Sequence, residues 1–355
     1  MPLKAAIPIS LTGRFAALGR KALRGAELWA EYSGAELLVE DDGSDPEKAA
    51  EWTAHFCRNR TVDAVFGPYS SSLCLAAARA AHALGGTLWN HGGASDEITQ
   101  YGNVVSCITP ASRYFVPVVD MLKRAGKKKV AVAEAEGSGF SGMVAGGAAR
   151  RGADFGMDIQ RVAYDPAAGA ERVLNAARGA DALLAAGRME DDIALAERVF
   201  SMRERPEFLC FVAAGVDEFG KVFADRCEGV FSVSQWEEET SPEAEFGPSG
   251  AEFAAMFAER NGHHPDYPAA QAFNIGLIAE KCAIENAGED DKALRETAKR
   301  LDFTTFYGRF KTDGRGNQIG HSMAVTKWKD GKRVVVEPMG FEPTTSTLPV
   351  LRSPD

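Results

Sequence analysis

The chain lacks the features that mark membrane-spanning, nucleic-acid-binding or disulfide-stapled proteins. No consecutive apolar run reaches the roughly 18 residues that a spanning helix needs. Positive charge is in deficit: 40 Lys and Arg face 50 Asp and Glu, a net charge of −10. Such a field repels phosphate backbones and anionic lipid surfaces, so no nucleic-acid partner and no direct membrane span are expected. The six cysteines (Cys57, Cys74, Cys107, Cys210, Cys227 and Cys282) include no C-x-x-C pair. Zinc-ribbon, ferredoxin and thioredoxin chemistry therefore fail on spacing, and free, mostly buried thiols are expected. There is no G-x-S-x-G elbow, no H-E-x-x-H helix and no Walker loop. The six histidines are dispersed, and His263-His264 before Pro265 reads as a solvated pair. No metal, no cofactor and no enzymatic activity are expected. After Lys4 the apolar run Ala5 to Ile9 is too short for the core of an export signal, so no signal peptide is read in this chain.

What is present is an alternation of short apolar strands and helices. At about 150 residues per domain, 355 residues suggest two domains. The first series reads as strands at Lys4–Ile9, Glu36–Glu40, Asp63–Gly67, Thr87–Asn90 and Val104–Thr109, with helices between them. Ser44 and Glu47 have capping-box spacing, and Pro46 suits a first helical turn. After Thr109-Pro110 the pattern restarts and runs to a strand at Val230–Ser234. Such alternation implies two doubly wound parallel-sheet α/β lobes with helices on both faces. A third section departs from it. Gly250 to Leu301 reads as helical, with an amphipathic run from Ala269 to Asn286, followed by strands at Thr305–Phe310, Met323–Trp328 and Arg333–Glu337. The last two are joined by a turn at Lys329-Asp330-Gly331-Lys332. Residues from Met339 onward are rich in Pro and Thr without periodicity and read as a disordered tail.

Open α/β sheets bind ligands at the carboxyl ends of their strands. The loops there are Ser10-Leu11-Thr12-Gly13-Arg14-Phe15, Gly67-Pro68-Tyr69-Ser70-Ser71-Ser72 and Asn90-His91-Gly92-Gly93-Ala94-Ser95. Hydroxyls and free amides at helix N-termini suit a small carboxylate without any formal positive charge. Gly137-Ser138-Gly139-Phe140-Ser141-Gly142 matches G-x-G-x-x-G after a strand, with Asp165 where a ribose acid could stand. A nucleotide-dependent enzyme is thus one alternative, although Glu134 and Glu136 crowd that loop with negative charge.

The order SLTGRFAALG, VFGPYSSS, NHGGASDEIT, SGFSG and TTFYGRFKTDGRGNQIG, spread from Leu3 to Glu337, resembles the branched-chain amino-acid-type solute-binding proteins of ABC importers. That resemblance implies a type I periplasmic binding fold with a three-segment hinge near Pro110–Arg113, Gln235–Glu239 and Tyr307–Phe310. Residues 1–112 plus 240–308 would form the first lobe, 113–239 plus 309–338 the second, and 339–355 the tail. It implies a small-molecule ligand, ABC permease subunits as partners and an extracytoplasmic location; a cytoplasmic ligand sensor of the same fold is the alternative.

Carried over by position, Ser71 would hold a ligand carboxylate through its hydroxyl and N–H, and Gly92 would offer a carbonyl. Ala94 stands where amino-acid binders have a hydroxyl residue, with Ser95 adjacent. In the second lobe Phe140 would cover the ligand and Met189 would stand where an aromatic often sits. Ala214, next to Gly215, occupies the position of the acid that pairs with a ligand ammonium; Asp217, Glu218 and, on a shifted register, Glu190 are the nearby acids. Phe15, Tyr69, Trp89 and Trp236 could supply flat walls or equally belong to a core, with Leu11, Ser70, His91 and Gly93 beside them. An unpaired buried ammonium is costly, so the expected ligand is a small carboxylate or amide without a free α-amino group, aromatic ones included.

Overall fold

The computed structural model describes residues 2–286 and 291–337, so the tail expected from Met339 lies outside the described residues. The first series is β1 (Lys4–Ile9), α1 (Ala16–Ser33), β2 (Glu36–Asp41), α2 (Pro46–Asn59), β3 (Ala64–Phe66), α3 (Ser71–Ala83), β4 (Leu88–Asn90) and β5 (Val104–Ser106). Its strands form one sheet in the order β2-β1-β3-β4-β5, parallel throughout. β1 is buried on both faces from Ala5 onward, which is why it reads as an unbroken apolar run and not as alternation. The second series is α4 (Val116–Arg124), β6 (Lys129–Ala135), α5 (Gly139–Asp154), β7 (Asp158–Tyr164), α6 (Ala170–Ala177), β8 (Ala182–Ala186), α7 (Met189–Phe200), β9 (Phe208–Phe211), α8 (Asp217–Phe223) and β10 (Phe231–Ser234). The third section supplies α9 (Gly250–Asn261), α10 (Tyr267–Glu285), α11 (Asp291–Arg300), β11 (Asp302–Thr305), β12 (Gly308–Lys311), β13 (Ala324–Lys329) and β14 (Lys332–Glu337). The second sheet runs β14-β13-β10-β9-β8-β6-β7, with β13 and β14 antiparallel at one edge. The mixed α/β architecture of two parallel-sheet lobes follows.

Several local expectations need correction. The N-cap of α2 is Asp45, whose side chain accepts the Glu47 N–H at 2.8 Å; Ser44 instead accepts the Phe15 N–H and donates to the Thr12 carbonyl. An acid one residue nearer the helix serves the first-turn amides, which frees Ser44 to fasten the β1–α1 loop. The helix α10 is not amphipathic over its first three turns: every residue from Pro268 to Ala279 is buried. It packs against α1 on one side and sits inside the largest core cluster, which includes Trp29, Phe253, Phe273 and Phe306. The expected strand Thr305–Phe310 is split: Thr305 ends β11, Phe306 and Tyr307 form the hairpin turn, where the Tyr307 N–H donates to the Thr305 hydroxyl, and Gly308 opens the antiparallel β12. The expected turn at Lys329–Lys332 is found, and with Asp330 and Gly331 both at positive φ it is of the I′ kind that suits a two-residue hairpin. All six cysteines are free thiols, five of them buried.

The chain passes between the two sheets three times. Ile108 belongs to the first-lobe core and Ala111 to the second, so the first passage is at Thr109-Pro110. Ser234 pairs with β13 while Trp236 packs on Phe253 and Phe306 of the first lobe, which places the second at Gln235. The third comes later than the expected Tyr307–Phe310. β12 pairs with β11, the Ser106 N–H donates to the Gly316 carbonyl, and only at Met323 does the chain enter the second core. Helix α5 meets the first passage closely: a Cβ on Gly147 would lie 1.7 Å from the Ser112 carbonyl oxygen, so only glycine fits.

Candidate functional site

The three passages are tied by one buried side chain. The Gln235 amide binds the Thr109 backbone twice: its Oε1 accepts the Thr109 N–H at 3.1 Å and its Nε2 donates to the Thr109 carbonyl at 2.9 Å. The same Nε2 donates to the Tyr114 hydroxyl at 3.0 Å, and the Tyr307 hydroxyl donates to Oε1 at 3.1 Å. His321 completes the third passage. Its ring stacks on Tyr307 with centroids 4.5 Å apart, and its Nδ1 lies 2.6 Å from the Thr109 hydroxyl. Burial, helped by Arg113, pushes the His321 pKa down to about 3, so the ring is a neutral hydrogen-bonding plate. The Gln235 amide has a partner on each side for both its oxygen and its nitrogen, and turning it over would set donor against donor and acceptor against acceptor, so its orientation is fixed.

Beside this hub lies a cleft of about 70 Å³. Its first-lobe wall consists of Tyr69, Gly92, Ala94 and Ile108, and its second-lobe wall of Val212, Gly215, Val216, Val233, Ser234 and Met323. Tyr114 and Gln235 form the hinge side, and Tyr267 and Gln271 of α10 close the remainder. None of these lining residues is Asp, Glu, Lys or Arg. The polar equipment is neutral: the Tyr69 and Tyr267 hydroxyls stand 2.8 Å apart, and burial raises the pKa of both and of Tyr114, so all three keep their protons. Formal charges adjacent in sequence are already paired, Asp266 with Lys21 at 3.0 Å and Glu237 with Arg333 at 2.6 Å. The arrangement offers hydroxyl donors and amide groups to a small ligand and offers no carboxylate to an ammonium.

Local structure explains the first wall. Tyr69 sits on the loop between β3 and α3, followed by Ser70 at φ 146° and ψ 155°, a region that side-chain-bearing residues rarely adopt. Ser70 caps α3 through the Leu73 N–H, while the Ser71 hydroxyl oxygen accepts the Ser95 N–H at 3.1 Å and so ties the two loops together. Gly92 is required by close approach, since a Cβ there would lie 2.5 Å from the Pro68 carbonyl oxygen. On the second wall, buried Asp192 holds the loop from behind, its two oxygens accepting the Gly187 and Ala213 N–H groups at 2.7 and 3.0 Å. Burial lifts its pKa to about 7 against those two hydrogen bonds.

Of the residues singled out from sequence, Tyr69, Gly92, Ala94 and Gly215 come together on the cleft. The others stand elsewhere. Leu11 and Phe15 are fastened to the turn after β2 by Asp41 and Ser44. Ser70 caps α3, Ser71 and Ser95 tie their two loops together, and the Ser95 hydroxyl reaches the Met143 sulfur of the second lobe. Gly93 is packed under Ile98 and Cys74. His91 is fully buried with neither ring nitrogen partnered, and burial lowers its pKa to about 4. Phe140 lies one layer back, edge-on to Tyr114 at 5.3 Å, and Met189 packs on the second-lobe core. Trp89 and Trp236 are core residues of the first lobe, not walls. Ala214 is buried and its carbonyl accepts from the Trp328 indole, so no acid occupies that position. Asp217, Glu218 and Glu190 are exposed and do not line the cleft. The Gly137–Gly142 turn opens α5 under a Ser138 cap beside the Arg161–Glu134 ion pair, away from the cleft.

Sequence reasoning missed Tyr114, Gln235, Tyr267 and Gln271 as lining residues. Gln235 opens the expected hinge passage Gln235–Glu239, and an amide at a passage between two lobes needs hydrogen-bond partners there. Tyr267 and Gln271 lie one helical turn apart on α10, a signal masked by the apolar residues around them.

Similarity to known proteins agrees with this architecture. The family described as "Periplasmic binding protein" matches residues 2–333. Among solved structures, a leucine-binding protein from Thermotoga maritima is 18% identical, with 94% of this chain and 97% of that chain covered and a TM-score of 0.80. A branched-chain amino acid transporter substrate-binding protein from Streptococcus pneumoniae, in complex with isoleucine, is 18% identical over 95% of this chain and 100% of that one, with a TM-score of 0.75. A solute-binding protein of an ABC transporter from R. palustris, in complex with benzoate, is 18% identical over 97% and 98%, with a TM-score of 0.73. At such identities the neighbours establish a shared fold. With two parallel-sheet lobes, three passages and a family match over nearly its whole length, the chain belongs to the periplasmic binding protein family.

Proposed function

We propose that this protein is the solute-binding component of an ABC importer and closes its lobes on a small carboxylate-bearing ligand without a free α-amino group, aromatic acids included. The observation that carries the reading is a cleft with hydroxyl and amide groups but no charged lining residue. A carboxylate is served by Tyr114 and by the spare proton of the Tyr69–Tyr267 pair. An ammonium would be buried without an anion, at a cost of several kcal/mol. Benzoate in one structural neighbour and isoleucine in another show that this fold accommodates both ligand types, so the lining must decide. Closure is a population shift driven by the contacts that a ligand gains from the second wall at Val212–Val216. Ser71, Ser95 and Phe140 act behind the lining by holding the loops and the hinge tyrosine. A permease partner and an extracytoplasmic location belong to this reading, which family membership supports; no described helix is long and apolar enough to cross a membrane. Calorimetric titration with benzoate, branched-chain carboxylates, leucine and isoleucine tests the proposal. Binding of the amino acids with none of the deamino acids would overturn it.

A further inference from the structure

The hinge hub dictates which polar atoms of the cleft donate and which accept. The Thr109 backbone fixes the Gln235 amide, because its N–H must meet Oε1 and its carbonyl must meet Nε2. Two consequences propagate from there. The Tyr114 oxygen accepts from Gln235 Nε2, which leaves the Tyr114 proton free to donate. The Tyr307 proton is committed to Gln235 Oε1, so Tyr307 can face Gln271 only as an acceptor. The Gln271 amide must then turn its NH2 group toward Tyr307, at 3.4 Å, and its carbonyl away. That carbonyl oxygen, Gln271 Oε1, is buried without a hydrogen-bond partner, on a side chain that lines the cleft. An orphaned acceptor in a buried site costs stability unless a ligand satisfies it.

We infer that the ligand carries, besides its acceptor group, one uncharged hydrogen-bond donor, a hydroxyl or an amide N–H, and that Gln271 selects for it. This rests on the carboxylate reading given above and adds a second group to that ligand. A neutral donor matches a lone carbonyl one to one. An ammonium would bring three N–H groups and a charge to a single uncharged acceptor, and a bare hydrocarbon would leave Oε1 unpaired.

The test is calorimetric titration of the full chain with two isosteric series: benzoate with its three monohydroxy derivatives, and leucine with its α-hydroxy and deamino analogues. In at least one series a hydroxylated member is expected to bind about tenfold tighter than its unsubstituted parent, the yield of one buried hydrogen bond. Gln271→Leu should remove that preference, so that the hydroxylated member and its parent bind this variant within about twofold of each other. Gln271→Glu, which keeps an oxygen acceptor, should retain more of the preference than the leucine variant. Equal or tighter binding of the parent in both series would overturn the role of Gln271 while leaving the carboxylate reading intact. Binding of leucine alone, or of no member of either series, would overturn both. The wild-type comparison holds even if the variants fold poorly.

Discussion

The two walls of the cleft are built differently. The first-lobe wall is made of loops at strand ends, with Tyr69, Gly92 and Ala94 exposed to the cleft by a strained Ser70 and a glycine packed on Pro68. The second-lobe wall combines strand-end residues Val233, Ser234 and Met323 with a short stretch, Val212 to Val216, whose main chain is held by a carboxylate behind it. A buried titratable group stands behind each: His91 next to Gly92, and Asp192 beneath Ala213. Both are neutralised by burial, but they oppose each other in sign. Between pH about 4 and 6.5 the unfolded chain protonates His91 and the folded chain does not, so this group's contribution falls as pH drops. Between 3.8 and about 7 the folded chain keeps a proton on Asp192 that the unfolded chain has lost, so this contribution falls as pH rises. The lobes thus share an architecture while drawing on opposite electrostatics.

The hub joining the walls offers the sharpest way to break the comparison. Gln235→Leu leaves the Thr109 N–H and carbonyl unpaired in a buried site and should cost about 3–5 kcal/mol in urea unfolding. A loss below about 1 kcal/mol would mean that the lobes keep their registry without it.

Opposite pH signs can be unmasked one at a time. Relative to wild type, Asp192→Asn should steepen the loss of stability on acidification between pH about 4 and 6.5, and His91→Leu should flatten it. Each change is about 1.4 kcal/mol per pH unit, the equivalent of one proton. Parallel shifts of the two variants, measured by thermal unfolding across that range, would defeat the opposition of the lobes.

Gly92→Ala tests the first wall alone. Its methyl group must displace Pro68 or Tyr69, at a cost of about 1–3 kcal/mol in stability and with weakened ligand affinity in the same titrations. The smallest effect is expected at Glu190, an exposed acid outside the cleft. Glu190→Gln should change stability by no more than about 0.5 kcal/mol and leave ligand affinity unchanged. A large loss of affinity there would assign it the ammonium-pairing role that the structure denies it.

The first wall was the more legible in sequence for a physical reason. Loops that follow apolar strands and open helices announce themselves by composition, and VFGPYSSS and NHGGASDEIT place Tyr69, Gly92 and Ala94 within a few residues of their strands. The second wall contributes mainly a backbone course, and a backbone course has no residue signature. Phe140 and Met189 were therefore expected on the cleft and stand behind it. Wall and core stay open for Trp89 and Trp236 in sequence, because an aromatic ring serves both equally well, and only packing places them in the core.

By itself the sequence determined the alternation of strands and helices, the two-lobed count, the net negative charge and the missing acid at Ala214, because each depends on residue type and local order. The tertiary structure decided which amide meets which hydroxyl. Thr109, Gln235, Gln271, Tyr307 and His321 are far apart along the chain, and their donors and acceptors acquire a direction only when three separate passages lie side by side. A hydrogen bond needs atoms about 3 Å apart, a condition that folding alone can meet across such distances.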